Sequence, residues 1–317
     1  MGLALLLVAG PMVISGACGA DVEPTEDEAA VKRLRFSRTL QRETFGRPTK
    51  LVATNIAEGR TLYFLDTASK TKRKLSTETN VMEPTISLDG TRVAYTQNRV
   101  VYVRSLSGGE RKKVAEGYTP RWWMMPSSGE EWIYYTTVPD DPADVWRRVY
   151  WPHDGKNIKT RRVRLRDGKD ELVLDWKGSG GQSKDGTHIV GDYATLILFD
   201  ALSEAHVLNG GEQGCNGSMS PDNNYWVLFT KMPHKGLFVH DKADDELWHL
   251  GAPAGTSRLE DPEWSNHLDY ASFAAREAGG NHSIWIAKLS EGENGLRRVL
   301  DGRTSGDDWD DPHLWVK

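Results

Sequence analysis

The sequence predicts an all-β fold, a single six-bladed β-propeller closed by its C-terminal strand pairing with the first blade. Three observations point there. A Pro-led apolar stretch, a Ser-x-Asp-Gly turn and an alternating strand recur along the chain, long helical periodicity is absent, and the two ends of the chain match complementary parts of one repeat. Four short strands per unit, at a period of roughly 35 to 60 residues, mark propeller blades.

The chain enters its first blade without an inner strand. Leu51-Val52-Ala53-Thr54, Thr61 to Leu65 and Arg73-Lys74-Leu75 match the second, third and fourth strands of a repeat. The first complete copy runs from Glu83-Pro84 through Ser87-Leu88-Asp89-Gly90 to Val93-Ala94-Tyr95-Thr96. Asp-Gly between apolar strands reads as a hairpin turn, since both residues tolerate the positive φ of tight turns. Val100 to Arg104 and Arg111 to Val114 then supply the third and fourth strands. A second clear copy spans Asn216 to Thr230, and degenerate ones start at Thr119-Pro120-Arg121-Trp122, Ser179-Gly180-Gly181-Gln182 and Asp261-Pro262-Glu263-Trp264. Leu196 to Asp200, Leu237 to Asp241 and Ser283 to Leu289 read as third strands, and Leu247 to Leu250 as a fourth. Finally, Asp311-Pro312-His313-Leu314-Trp315-Val316 is an inner strand with no partners after it. Joined to Leu51 to Thr54 it completes the last blade and removes the free sheet edges of an open array.

These repeats resemble those of the TolB-like six-bladed propellers, whose core reads Pro-x-Trp-Ser-Pro-Asp-Gly. The likeness covers the chain from about residue 48 and is strongest at Glu83 to Thr96, Asn216 to Thr230 and Asp261 to Ser265. It implies the architecture and leaves function open, because one fold hosts many functions.

Residues 1–17 read as a signal peptide: Leu3 to Ile14 is an apolar run too short to span a bilayer, followed by small residues. Ile14-Ser15-Gly16-Ala17-Cys18 resembles a bacterial lipobox, which implies that Cys18 is lipidated and becomes the mature N-terminus. Ordinary export with cleavage nearby and a buried apolar segment are the alternatives. Residues 18–47 read as a lipidated tether, and 48–317 as the propeller.

Composition narrows the function classes. Of 317 residues two are Cys, which excludes a disulfide scaffold and any multi-cysteine metal site. A net charge of −5 argues against a nucleic-acid partner. No Gly-x-Ser-x-Gly elbow, P-loop or dinucleotide fingerprint is present, and Cys215 reads as a small core residue.

Each inner strand starts at the central channel, so the residue before the repeat proline points from every blade toward one axis. Those residues are Glu83, Thr119, Ser179, Asn216, Asp261 and Asp311, with Arg121, Glu263 and His313 two places further along. Their oxygens suit a divalent cation such as calcium or magnesium; a water-filled channel and a ligand pocket are the other readings. No other cofactor is expected. Oligogalacturonate lyases, which resemble this chain in their repeats, hold a metal with channel histidines and a glutamine; here His313 alone of the histidines falls near the axis, with Gln182 close by.

Two charged stretches complete the inventory. Arg147, Arg148, Arg161, Arg162, Arg164 and Arg166 crowd the longest repeat, either to protect a blade edge or to form a surface for an acidic protein, polysaccharide or lipid headgroup. Asp307, Asp308, Asp310 and Asp311 precede the closing strand and read as a solvated loop. The function expected is that of a lipid-anchored, non-catalytic binding or scaffold protein of the bacterial cell envelope, periplasmic or surface-exposed, with an envelope protein or complex as partner. Carbohydrate binding or polysaccharide cleavage in the channel is the alternative.

Overall fold

The computed structural model describes residues 46–137, 158–191, 197–200, 204–208, 214–303 and 306–317. The signal segment, residues 18–45 of the tether with Cys18, and Arg147 and Arg148 lie outside the described residues.

Blade 1 contains β1 (Thr49–Asn55), β2 (Thr61–Asp66) and β3 (Thr71–Lys74). Blade 2 contains β4 (Val81–Ile86), β5 (Arg92–Gln97), β6 (Val100–Ser105) and β7 (Lys112–Glu116). Blade 3 follows with β8 (Tyr118–Met124), β9 (Glu131–Thr136), β10 (Thr160–Arg164) and β11 (Asp170–Leu174). Blade 4 has β12 (His188–Gly191), β13 (Ile197–Asp200) and β14 (Glu204–Val207), and Gln182 bridges Ile189 where an inner strand would run. Blade 5 comprises β15 (Gly214–Met219), β16 (Val227–Lys231), β17 (Gly236–His240) and β18 (Glu246–Gly251). Blade 6 comprises β19 (Thr256–Trp264), β20 (Tyr270–Glu277), β21 (His282–Lys288) and β22 (Leu296–Leu300). The last strand, β23 (Trp309–Val316), returns to blade 1 as its inner strand, with Leu314 opposite Leu51 and Val316 opposite Thr49.

The core lies between blades rather than inside any one of them. Successive residues of a strand point to opposite faces, and β1 shows the result. Leu51 and Ala53 pack with Tyr270, Ala274 and Ile284 of blade 6, whereas Val52 between them packs with Val81, Val93 and Tyr95 of blade 2. Each such aliphatic side chain contributes about 1.5–3 kcal/mol on burial.

The Ser-x-Asp turns are built alike. In blade 2, Gly90 N–H donates to the Ser87 carbonyl at 2.8 Å and Thr91 N–H to Asp89 Oδ1 at 3.0 Å. Blade 4 repeats this with Gly186 on Ser183 at 2.9 Å and Thr187 on Asp185 at 3.0 Å. Both glycines have positive φ, +69° and +76°. A tryptophan from the preceding blade lies over each: the Trp315 indole N–H donates to the Leu88 carbonyl at 3.0 Å, and that of Trp123 to the Lys184 carbonyl at 3.1 Å. A tryptophan on an inner strand is thereby clamped to the next turn, which is the physical content of the repeat.

Candidate functional site

Five of the inner strands carry the same bulge. On β4 the pairing jumps from Met82–Thr96 to Thr85–Ala94, so that Glu83 and Pro84 together face Tyr95. Matching jumps leave out Thr119-Pro120 on β8, Asn216-Gly217 on β15, Asp261-Pro262 on β19 and Asp311-Pro312 on β23. Proline fits there because a bulge leaves one residue without a ladder bond to make. The first residue of the bulge, followed by proline in four cases and by Gly217 after Asn216, takes a positive φ in every case, between 46° and 54° for Asp261, Asp311, Glu83, Thr119 and Asn216. That turn of the backbone re-aims the side chain toward the axis.

All six axial residues read from the sequence, Ser179 included, line one cavity together with Arg121, Glu263 and Lys177. The space open to water there is about 60 Å³, room for a few waters or an ion. Bonds between blades tie the ring: Thr119 N–H donates to Glu83 Oε2 at 2.8 Å. Arg121 of blade 3 and Glu263 of blade 6, which face each other across the ring, form an ion pair that spans the channel. Glu263 also accepts from the Ser218 hydroxyl of blade 5 at 3.1 Å.

On one side of that bar the channel is acidic. Glu260, Asp261 and Asp310 bring carboxylate oxygens within 4.8 Å of one another. Arg60 pairs with Asp310 at 2.9 Å and with Asp311 at 3.2 Å. Enclosure by protein, followed by repulsion from Asp310, pushes the Asp311 carboxyl up to about 8 and that of Asp261 well above the usual range. Burial works against a charged His282, but its bonds to Glu260 at 3.4 Å and Asp308 at 2.7 Å prevail and raise it to about 9. Three carboxyl groups this close offer the oxygen donors that calcium or magnesium prefers.

On the other side the channel opens into a wider, largely apolar mouth of about 310 Å³. Trp122, Trp123, Met125, Met219 and Trp264 form its walls, and Leu88 and Met124, 45% and 38% exposed, stand at its rim. His313 lies here, not in the acidic cavity, beside Arg121 and Glu263. Its Nδ1 accepts the Ile86 N–H at 3.2 Å. Burial and the Arg121 charge push the ring down to about 3, so the imidazole is neutral with its proton on Nε2.

The sequence does not single out Lys177, Arg60 or Glu260, and Asp310, expected in a solvated loop, is instead buried at the start of β23 with its carboxylate on Arg60; the doubled acids Glu260-Asp261 and Asp310-Asp311 are the visible signal. Trp122, at the tryptophan position of the Pro-x-Trp core, donates its indole N–H to the Thr85 carbonyl of blade 2 at 2.9 Å and packs against that blade. The clamp in that blade is the buried Trp123, whereas Trp122 is half-buried in the mouth. The described arginines of that basic stretch are each paired with acids of blade 3: Arg161 with Asp170, Arg162 with Glu171, Arg164 with Glu130 and Asp167, and Arg166 with Glu130. Cys215 is half-buried on β15.

No family model matches the chain, and no curated protein matches it by sequence. Solved structures do. TolB from Acinetobacter baumannii is 15% identical, with a TM-score of 0.62 over 86% of this chain and 67% of its own. A protein assigned as TolB from Agrobacterium tumefaciens is 14% identical, with a TM-score of 0.53 over 80% of this chain and 89% of its own. Oligogalacturonate lyase from Vibrio parahaemolyticus is more distant, 12% identical with a TM-score of 0.51 over 83% of this chain and 76% of its own. The chain therefore shares the six-bladed propeller fold of the TolB structures.

Proposed function

We propose that this protein is a non-catalytic binding propeller of the bacterial cell envelope, anchored by a lipid on Cys18, that receives a partner protein at the apolar mouth of its channel. The observation that carries the reading is the mouth itself. Leu88 and Met124 stand exposed over a cavity of about 310 Å³ walled by tryptophan and methionine, where a soluble surface would ordinarily be polar. The TolB-like fold supports it.

The test is co-purification from native membranes with the unaltered chain and with a Leu88→Asp, Met124→Glu variant. A partner that depends on the mouth is lost from the variant; a partner kept in full overturns the reading. The anchor is tested apart from the mouth. Cys18→Ala moves the protein from the membrane to the soluble fraction, and retention as firm as before removes the lipid from the proposal.

A second reading concerns the carboxyl cluster that adjoins the acidic cavity at Asp261, where Glu260, Asp261 and Asp310 would hold a divalent cation through their carboxylate oxygens. Calcium or manganese then raises the melting temperature, and Asp310→Asn abolishes the rise. Polysaccharide cleavage has less support, since among the described residues His313 alone of the histidines lines either channel cavity.

A further inference from the structure

Resting on the reading of the mouth as a docking site, we infer that residues 31–45 of this same chain seat their apolar side chains in it, so that a partner has to displace them. The rim carries the first observation. In blades 2 to 6 the turn leading into the second strand lines the mouth, through Leu88, Met125, Lys184, Pro221 and Asn266. Blade 1 has no such turn, because its inner strand β23 and its second strand β1 come from opposite ends of the chain. Arg47-Pro48 and Val316-Lys317 stand in that place, joined by the Lys317 N–H to the Pro48 carbonyl at 3.0 Å. Both are tied to the blade 6 wall. The Asn266 side chain accepts the Val316 N–H at 2.8 Å and donates to the Val316 carbonyl at 2.9 Å, and Arg47 donates to His267 Nε2 at 2.7 Å. Everything before Gly46 therefore joins the propeller at the edge of the mouth.

What is attached there matches what it meets. Residues 31–45 hold Val31, Leu34, Phe36, Leu40 and Phe45 among basic residues, and the mouth offers walls of Trp122, Trp123 and Met219. Leu40 and Phe36 lie within about 20 Å and about 35 Å of Gly46 along an extended chain, ample for a cavity of about 310 Å³. A segment tethered this closely is present at about millimolar effective concentration. An affinity of about 1 mM then half-fills the mouth, which a few buried aliphatic or aromatic side chains supply. Charge does not decide the matter. Arg121 is paired with Glu263 inside the mouth, and at the rim Arg47, Lys184 and Lys317 stand among Asp185, Asp222 and Asp269. The basic side chains of the segment keep to water while the apolar ones make the contact.

A buried polar atom favours a polypeptide as the occupant. Gln182 is 9% exposed and lines the mouth, its Nε2 donates to the Trp122 carbonyl at 3.3 Å, and its Oε1 has no hydrogen-bond partner. An acceptor buried in that way is costly until an N–H reaches it. An extended peptide brings one at every residue but proline, and residues 31–45 contain no proline; an acyl chain brings none.

The experiment uses the full-length chain in intact cells with p-benzoylphenylalanine in place of Phe36, a photo-crosslinker that inserts preferentially at methionine. Irradiation is expected to give an internal crosslink, at unchanged molecular mass, on peptides that hold Met124, Met125 or Met219. Met232, 55% exposed beyond the far end of β16, is the internal control and should carry at least tenfold less product. Leu88→Asp should cut the product on the mouth methionines at least threefold. Phe36→Ser with Leu40→Ser removes the competitor and should raise partner recovery at least threefold. Equal product on Met232, an adduct of doubled mass from a second copy, or an adduct with another protein in place of the internal one overturns the inference. The two readings fail separately. An internal crosslink in a protein whose partner survives Leu88→Asp, Met124→Glu keeps the segment in the mouth and removes the partner reading; a lost partner without an internal crosslink does the reverse.

Discussion

Replacing Gly90 by alanine should break the clamp between blades 1 and 2. The residue sits at φ +69°, and a Cβ built on it falls 2.6 Å from the Trp315 ring, well inside van der Waals contact. The left-handed backbone alone costs an alanine about 1–2 kcal/mol. The indole must also retreat by about 1 Å to restore ordinary carbon contacts. Retreat strains its N–H bond to the Leu88 carbonyl, 3.0 Å, worth about 1 kcal/mol. It also strains the Lys50 ammonium over the ring, 5.1 Å from the centroid, worth about 0.5–1 kcal/mol. The sum is about 3 kcal/mol, a fall in melting temperature of about 6–12 °C for a domain of this size. Gly129 is the internal control: its φ is +67° but nothing lies within 4 Å of its Cβ, so Gly129→Ala should lose only the backbone part. Denaturant midpoints by circular dichroism read both. In a Trp315→Ala background the Gly90→Ala loss should shrink to that of Gly129→Ala. If Gly90→Ala is no worse than Gly129→Ala with Trp315 in place, the clamp is not a stabilising contact.

Other outcomes follow from the charged groups. The Asp311 carboxyl titrates at about 8 against an ordinary 3.8. Its cost to stability is therefore absent below pH 4 and grows as pH rises from there through 8. Asp311→Asn should leave the unfolding midpoint at pH 4 unchanged and raise it at pH 9; an equally steep alkaline loss in the variant counts against this. His282, raised to about 9, adds stability that is complete below pH 6.5 and lost as pH rises through 9, so His282→Gln should destabilise at pH 6 and become neutral at pH 10. Asp185, held at about 2 by bonds from Ser183, Thr187 and Tyr225 although burial opposes them, stabilises above pH 4 and loses that effect as pH falls through 2. Asp185→Asn should cost about 1 kcal/mol at pH 7 after solvent screening and nothing at pH 1.5, read from acid unfolding curves. Arg164→Glu, which faces Glu130 and Asp167, should lower the melting temperature, with high salt restoring part of the loss.

The ring was legible in the sequence because each of its devices is local. A turn that needs positive φ selects Asp-Gly or Asp-Asn, and an alternating strand selects apolar residues at every second place, so the hairpins at Asp89, Asp185 and Asp222 announce themselves. Closure was legible too, since strand fragments at opposite ends of the chain complete one sheet. What was hidden depends on the radial position of a side chain. Trp122 and Trp123 are neighbours in sequence and point to opposite faces of β8, so which of them clamps the next turn depends on where the bulge at Thr119-Pro120 sets the register. The same bulge decides that Arg121 reaches across to Glu263, 142 positions away. The arginines of blade 3 look like a basic surface in one dimension because their partners, such as Asp170 and Glu171, arrive on the adjacent strand β11.

The bulges also bear on why the channel is polar at all. Glycine adopts a positive φ without steric cost, and any other L-residue pays about 1–2 kcal/mol there, somewhat less for Asp and Asn. At none of the five bulges does glycine occupy that place; Glu, Thr, Asn, Asp and Asp do. If the bulge served only to bend the inner strand, glycine would bend it at lower cost. The side chain must therefore contribute something the bend does not. Glu83 and Thr119 contribute a bond between blades. Asp261 and Asp311 do the opposite, since enclosure and the neighbouring Asp310 lift both carboxyls out of their usual range. Two residues at positive φ, with carboxyls enclosed beside Asp310, destabilise the ring twice over, through backbone and through charge. Such a pairing is consistent with a channel whose carboxyl cluster, Glu260, Asp261 and Asp310, is satisfied by a cation that enters it.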